Sequence, residues 1–101
     1  MKFDPTDDLS NPTALKIIKE ILDAGAVFYS NHAKKRMRER GYDNHDVIFV
    51  LSNGSIIEKK FDARNSNWIY KIEGYDVDGD AGVVLTAIIG KWEIEIITVL
   101  S

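Results

Sequence analysis

His32, Arg36 and Arg40 stand at i, i+4 and i+8 in the run Ser30–Gly41 (SNHAKKRMRERG), so on a helix they share one face. A histidine can move a proton near neutral pH, and an arginine in reach can hold a phosphate through a planar fork of donors. Metal-free cleavage of RNA asks for that pair. A base takes the proton of the ribose 2′-hydroxyl, and cations stabilise the charge that builds on the phosphorane. Lys34, Lys35 and Arg38 lie on the same segment, with Glu39 as its only acid, and are candidates for holding flanking phosphates. The plainer reading of these residues is a solvated basic face with a histidine in the first turn of a helix. Spacing alone leaves both readings open.

Other polar residues carry less. His45 in Asp43-Asn44-His45-Asp46 reads as an exposed first-turn residue. Asp76-Val77-Asp78-Gly79-Asp80 has the beginning of a calcium loop, but Ala81 and Ala87 stand where its glycine and closing glutamate belong, so it reads as a hairpin turn. Trp68, Tyr70 and Ile72 alternate with Ile69, Lys71 and Glu73, which in a strand reads as a core stripe. Lys71 then points away from Tyr70, to the other face. Thr98 is in step with Ile94, Ile96 and Leu100 and reads as a buried hydroxyl bonded to backbone. No glycine-rich phosphate loop, nucleophile elbow or metal-ligand spacing occurs.

These residues need elements to position them. Asn11-Pro12 opens a first helix with Asn11 as cap and Pro12 at its first position, and Leu15, Ile18 and Leu22 recur at helical spacing until Gly25. Ala26–Tyr29 reads as a short apolar bridge. Ser30 caps a second helix ending at Gly41, and Asp43 or Asn44 caps a third, ending at Asn53-Gly54. From Ser55 the pattern changes to β-branched and aromatic runs. Four strands are predicted, over 56–61, 68–73, 82–89 and 93–100, with a tight Gly90-Lys91 turn before the last. Their short connections favour an antiparallel meander. The run Val83–Ile89 is nearly continuous in apolar character, as befits a central strand. Glu58, Lys59 and Lys60 mark the first strand as a charged edge. The expected fold class is therefore α+β: two to three N-terminal helices on a four-stranded antiparallel sheet.

The 101 residues, 45% of them hydrophobic, suit one domain over 1–101, with residues 1–11 as a poorly ordered lead-in. There is no cysteine, which excludes a disulfide framework and thiolate metal sites. The polar start and the lack of a long apolar run imply a cytoplasmic protein without a membrane span. The net charge is −3, so the cations of 34–40 are concentrated on an otherwise acidic chain, and the partner of that segment is expected to be anionic.

The signature S-x-H-A-x-x-R-M-x-E-R-G over Ser30–Gly41, followed by Asp46-Val47, Gly54-Ser55-Ile56-Ile57-Glu58 and Ile97-Thr98-Val99, resembles the family called domain of unknown function 4258, over about residues 28–100. Such domains look like the wider group of barnase, EndoU, colicin and RelE-like ribonucleases, many of which are toxins beside a small antitoxin. The resemblance implies a RelE/barnase-like fold and a metal-independent endoribonuclease acting on single-stranded RNA, with a cognate antitoxin and no cofactor. It implies His32 and Arg36 as the matched polar pair, with Thr98 and Lys71 as further members. Arg40 belongs to the motif and can be structural or contact RNA. A non-catalytic RNA- or protein-binding module using the helix 30–41 is the alternative.

Overall fold

Ser10, not Asn11, caps the first helix. Its hydroxyl accepts from the Thr13 N–H at 3.3 Å, leaving Asn11 and Pro12 inside helix α1 (Asn11–Ala24). Proline fits there because first-turn N–H groups have no helical partner. The structure, a computed structural model, describes residues 3–100; Met1 and Lys2 of the predicted lead-in lie outside them. Ala14, Ile18 and Ile21 form the buried stripe of α1.

The segment Ala26–Tyr29, expected to bridge two helices, is a strand. This β1 runs parallel to the last strand, pairing Ala26 with Glu93 and Tyr29 with Ile96. The sheet therefore has five strands rather than four, and is not wholly antiparallel. Four residues carry too little pattern to distinguish a strand from a linker. Only a partner far along the chain, β5, satisfies their backbone groups.

Helix α2 (Asn31–Arg40) begins where Ser30 leaves β1. The Ser30 N–H donates to Ile96 O, its hydroxyl donates to Ile97 O at 2.7 Å, and the same oxygen accepts from the Ala33 N–H at 2.9 Å. One serine thus ends a strand, caps a helix and ties both to β5. Gly41, at φ 68°, closes α2 in the left-handed region, where a side chain would be strained. Helix α3 (Asn44–Asn53) opens with an Asp43–Asp46 capping box, which satisfies two orphan N–H groups reciprocally.

The meander follows as β2 (Ser55–Asp62), β3 (Asn67–Tyr75), β4 (Ala81–Gly90) and β5 (Glu93–Leu100). The last turn falls at Lys91-Trp92, one residue later than predicted. Sheet order is β1-β5-β4-β3-β2, with β4 central and β2 at the edge, as expected. Tyr70, Ile72, Val84, Ile88, Ile94, Ile96 and Val99 meet Ala14, Ile18 and Ile21 of α1, Ala33 of α2, and Val47, Val50 and Leu51 of α3 in one core. Each large aliphatic side chain buried there contributes about 1.5–3 kcal/mol. The lead-in lies against this layer: Phe3 and Leu9 touch the core, and Trp68 Nε1 donates to Thr6 O at 3.1 Å. No helix among the described residues is long and apolar enough to cross a membrane.

The strand-to-strand turn at Asp76–Asp80 is held from both sides. Asp76, buried, accepts from the Asp78 and Asp80 N–H groups at 3.0 Å each and from the Tyr42 hydroxyl at 3.0 Å. Burial pushes its carboxyl up, but the bonds from the Asp80 N–H, Tyr42 and the Asp78 N–H prevail and hold it below the usual carboxylate range. Burial and the bond to Asp76 push Tyr42 up to about 12. The linkage then has two signs. Stability from the depressed Asp76 is present above its unfolded value and lost as pH falls through the folded one, in the region below about pH 4. Stability from the raised Tyr42 is full below pH 10 and is lost as pH rises from 10 towards 12. Melting curves of Tyr42→Phe should therefore fall less steeply than wild type between pH 10 and 12. A parallel decline would show that the Tyr42–Asp76 bond contributes nothing.

Candidate functional site

Helix α2 lies beside β5, in the lane that β1 vacates at Tyr29. Its inward residues are Ala33, fully buried, and Arg36, Met37 and Arg40, partly covered. His32, Lys34, Lys35 and Arg38 are exposed. The expected face therefore splits: His32 stands free in the first turn while Arg36 and Arg40 sink towards the body of the protein. Arg36 Nη1 lies 3.8 Å from Glu39 Oε1. Glu39 was not among the predicted site residues, although its i, i+3 spacing from Arg36 was a readable signal. Arg40 Nε is buried without a hydrogen-bond partner among the described residues, so the last motif arginine packs into the α2–α3 junction with Tyr42 nearby.

Thr98 departs from its expected side. Leu85 pairs with Thr98 but Thr86 pairs with Ile96, so Ile97 is an extra residue in β5, a bulge. The inserted residue reverses the alternation. Ile94 and Ile96 face the helices, whereas Thr98 and Leu100 face the opposite, open side of the sheet, in register with Leu85 and Val83. The Thr98 hydroxyl is buried, yet makes no hydrogen bond to backbone or side chain among the described residues. A buried hydroxyl without a partner is costly; the Thr86 hydroxyl, on the core face of β4, is buried without one among the described residues as well.

Lys71 also faces the open side, opposite to Tyr70 as predicted. It pairs across with Leu85 and with Glu58, so Glu58, Lys71, Leu85 and Thr98 form one transverse row. Lys71 and Thr98 are two strand spacings apart, about 10 Å. Lys71 Nζ lies 3.8 Å from Glu58 Oε2. A groove of about 240 Å³ runs over this row, with Ile69, Leu85 and Leu100 as its apolar lining and Glu58, Lys60 and Lys71 beside them. No residue of α2 lines it. The fold thus brings Thr98 and Lys71 to one face and sets α2 alongside β5, the strand of Thr98, with Lys71 two strands away on β3. No hydrogen bond or ion pair joins His32 or Arg36 to either of them among the described residues.

Charge divides the surface in the same way. By register the open face carries Glu58, Asp62, Glu73, Glu93 and Glu95 against Lys60 and Lys71. The dense cations sit on α2, at its margin. An anionic chain would be attracted to α2 and repelled by most of the sheet.

The fold and site define a mixed α+β domain with a basic, histidine-bearing helix at the edge of a five-stranded sheet. The family model described as domain of unknown function (DUF4258) matches residues 29–101, and the chain belongs to that family. The match begins at Tyr29 and takes in α2, α3 and β2–β5 while leaving out α1. No curated protein and no solved structure matches the chain.

Proposed function

We propose that the protein is a metal-independent endoribonuclease of the RelE/barnase-like group, acting in the cytoplasm on single-stranded RNA and restrained by a small antitoxin protein. The observation that carries this reading is the placing of α2: an exposed histidine and a half-covered arginine on one basic helix, beside the strand that bears an unpartnered Thr98 hydroxyl. His32 acts as base or acid at the 2′-hydroxyl. Arg36 stabilises the phosphorane charge. Thr98 supplies a hydrogen bond to the substrate, and Lys71, tied to Glu58, is the more distant member. Lys34, Lys35, Arg38 and Arg40 are the phosphate-contact candidates, with the first three the accessible ones.

The test is cleavage of a single-stranded RNA by the purified chain in excess chelator. Product ending in a 2′,3′-cyclic phosphate is expected, since 2′-hydroxyl attack by protein acid–base groups needs no divalent ion. Activity lost on chelation and restored by a divalent ion would replace this chemistry with a metal-assisted one.

RNA binding should weaken with salt, but moderately. With about two to four phosphates engaged and roughly 0.7 contributed by each, the logarithmic slope is about −1.4 to −2.8. Lys34→Glu with Lys35→Glu should flatten it and weaken binding while melting is nearly unchanged, because exposed lysines contribute little to stability. An unaltered slope in the double variant would move the RNA surface away from α2.

A further inference from the structure

The central strand is apolar on both sides, although only one side has helices packed on it. Val84, Thr86 and Ile88 face the core, and Val83, Leu85 and Ala87 face the open side, where Val83 and Ala87 are themselves buried and Leu85 is partly exposed. A sheet with one wet face normally alternates apolar and polar residues along its strands; continuous apolar runs belong to sheets covered on both faces. The open-side stripe continues sideways. Ile69 stands beside Ala87, and Phe28 of β1 lies across Glu95 on the same face. Phe28 is 46% exposed and stands beyond Glu95 from the groove lined by Ile69, Leu85 and Leu100.

We infer that this open face docks an amphipathic helix of a partner protein, with aliphatic residues on its inner side and lysine or arginine along its flanks. A helix is the layer that the other face already takes, and a second helical layer covers an apolar stripe of this width. Charge selects among the occupants. The stripe is bordered by Glu58, Asp62, Glu73, Glu93 and Glu95 against two lysines, so cationic flanks meet carboxylates. A second copy of this chain would set two carboxylate-rich faces against each other. An RNA strand laid along the face beyond Thr98 would bring phosphates to the same carboxylates. The inference uses no cation of α2, but it shares this face with the proposed ribonuclease reading, since a helix docked over Leu85 would cover the row of Lys71 and Thr98.

The experiment uses the full chain and a synthetic amphipathic helix of about 18 residues, five turns, with leucine on one face and lysine on the flanks, followed by Trp fluorescence and by NMR shifts. A glutamate-flanked version is the comparison. The lysine peptide should bind at least about tenfold more tightly than the glutamate one, and Leu85→Ser should weaken it by about tenfold, the equivalent of one buried aliphatic contact. Ile69→Ser, on the same groove, provides the same reading if Leu85→Ser melts too low. Glu73→Lys with Glu95→Lys should weaken the lysine peptide and strengthen the glutamate one. Three results overturn the inference: lysine-peptide binding indifferent to both serine variants, which would be charge attraction alone; a concentration-dependent dimer abolished by those variants, which would make the occupant a second copy; or single-stranded RNA binding lost in them but kept in Lys34→Glu with Lys35→Glu.

Discussion

His32→Ala is expected to reduce RNA cleavage by at least about 100-fold, the lower end of what a positioned acid or base contributes, while stability changes by less than about 0.5 kcal/mol. The two readouts separate because of where His32 lies. It is exposed in the first turn of α2, and the cap that holds this turn belongs to Ser30, whose hydroxyl accepts from the Ala33 N–H. Truncating the imidazole removes neither packing nor a cap. Arg36→Ala should also abolish cleavage, but with a measurable loss of melting temperature, because Arg36 is partly covered and paired with Glu39. Intact cleavage by His32→Ala would leave α2 as a binding helix only. Kinetics and thermal melts on the same preparations decide it.

A large loss of stability is expected from Gly54→Ala. A Cβ at Gly54 would lie 2.5 Å from Val50 O and 2.7 Å from Glu73 O. Both are backbone atoms, of α3 and β3, so neither can swing aside as the end of a side chain could. Asn53 makes the same junction from its side chain, donating to Tyr75 O at 2.8 Å and accepting from the Tyr75 N–H at 2.8 Å. Helix and strand are thus held too close for any side chain between them. Overpacking of this kind costs about 3 kcal/mol, and for a domain of this size the melting temperature should fall by about 12–24 °C. Gly41→Ala is the control. Nothing lies within 4 Å of its Cβ position and only its positive φ is unfavourable, so its cost is about 1–2 kcal/mol. Equal melting temperatures for the two variants would mean that the α3–β3 contact relaxes freely.

The reach of sequence reading differs from element to element. Helices α2 and α3 were legible because their caps are local: Ser30, Gly41 and Asp43 act within four residues of the helix backbone they satisfy. The strands β2–β5 were legible from β-branched runs between turn residues, and the edge and central positions of β2 and β4 from their charge and apolarity. The family was legible too, since its signature lies in one short helix. Strand β1 was not, because its four residues become a strand only by pairing with β5, more than sixty residues later.

The make-up of the candidate site is thus written locally: a histidine and cations at helical spacing, free of cysteine, on an otherwise acidic chain. Which of those residues share a surface follows from strand pairing, because side-chain direction along a strand depends on register and one inserted residue inverts it. The Ile97 bulge turns Thr98 away from Ile94 and Ile96 and into the row of Leu85 and Lys71. The same dependence on distant partners placed α2 in the lane beyond β1, buried Arg40 Nε, and left one face of the sheet without a helix of the described residues upon it.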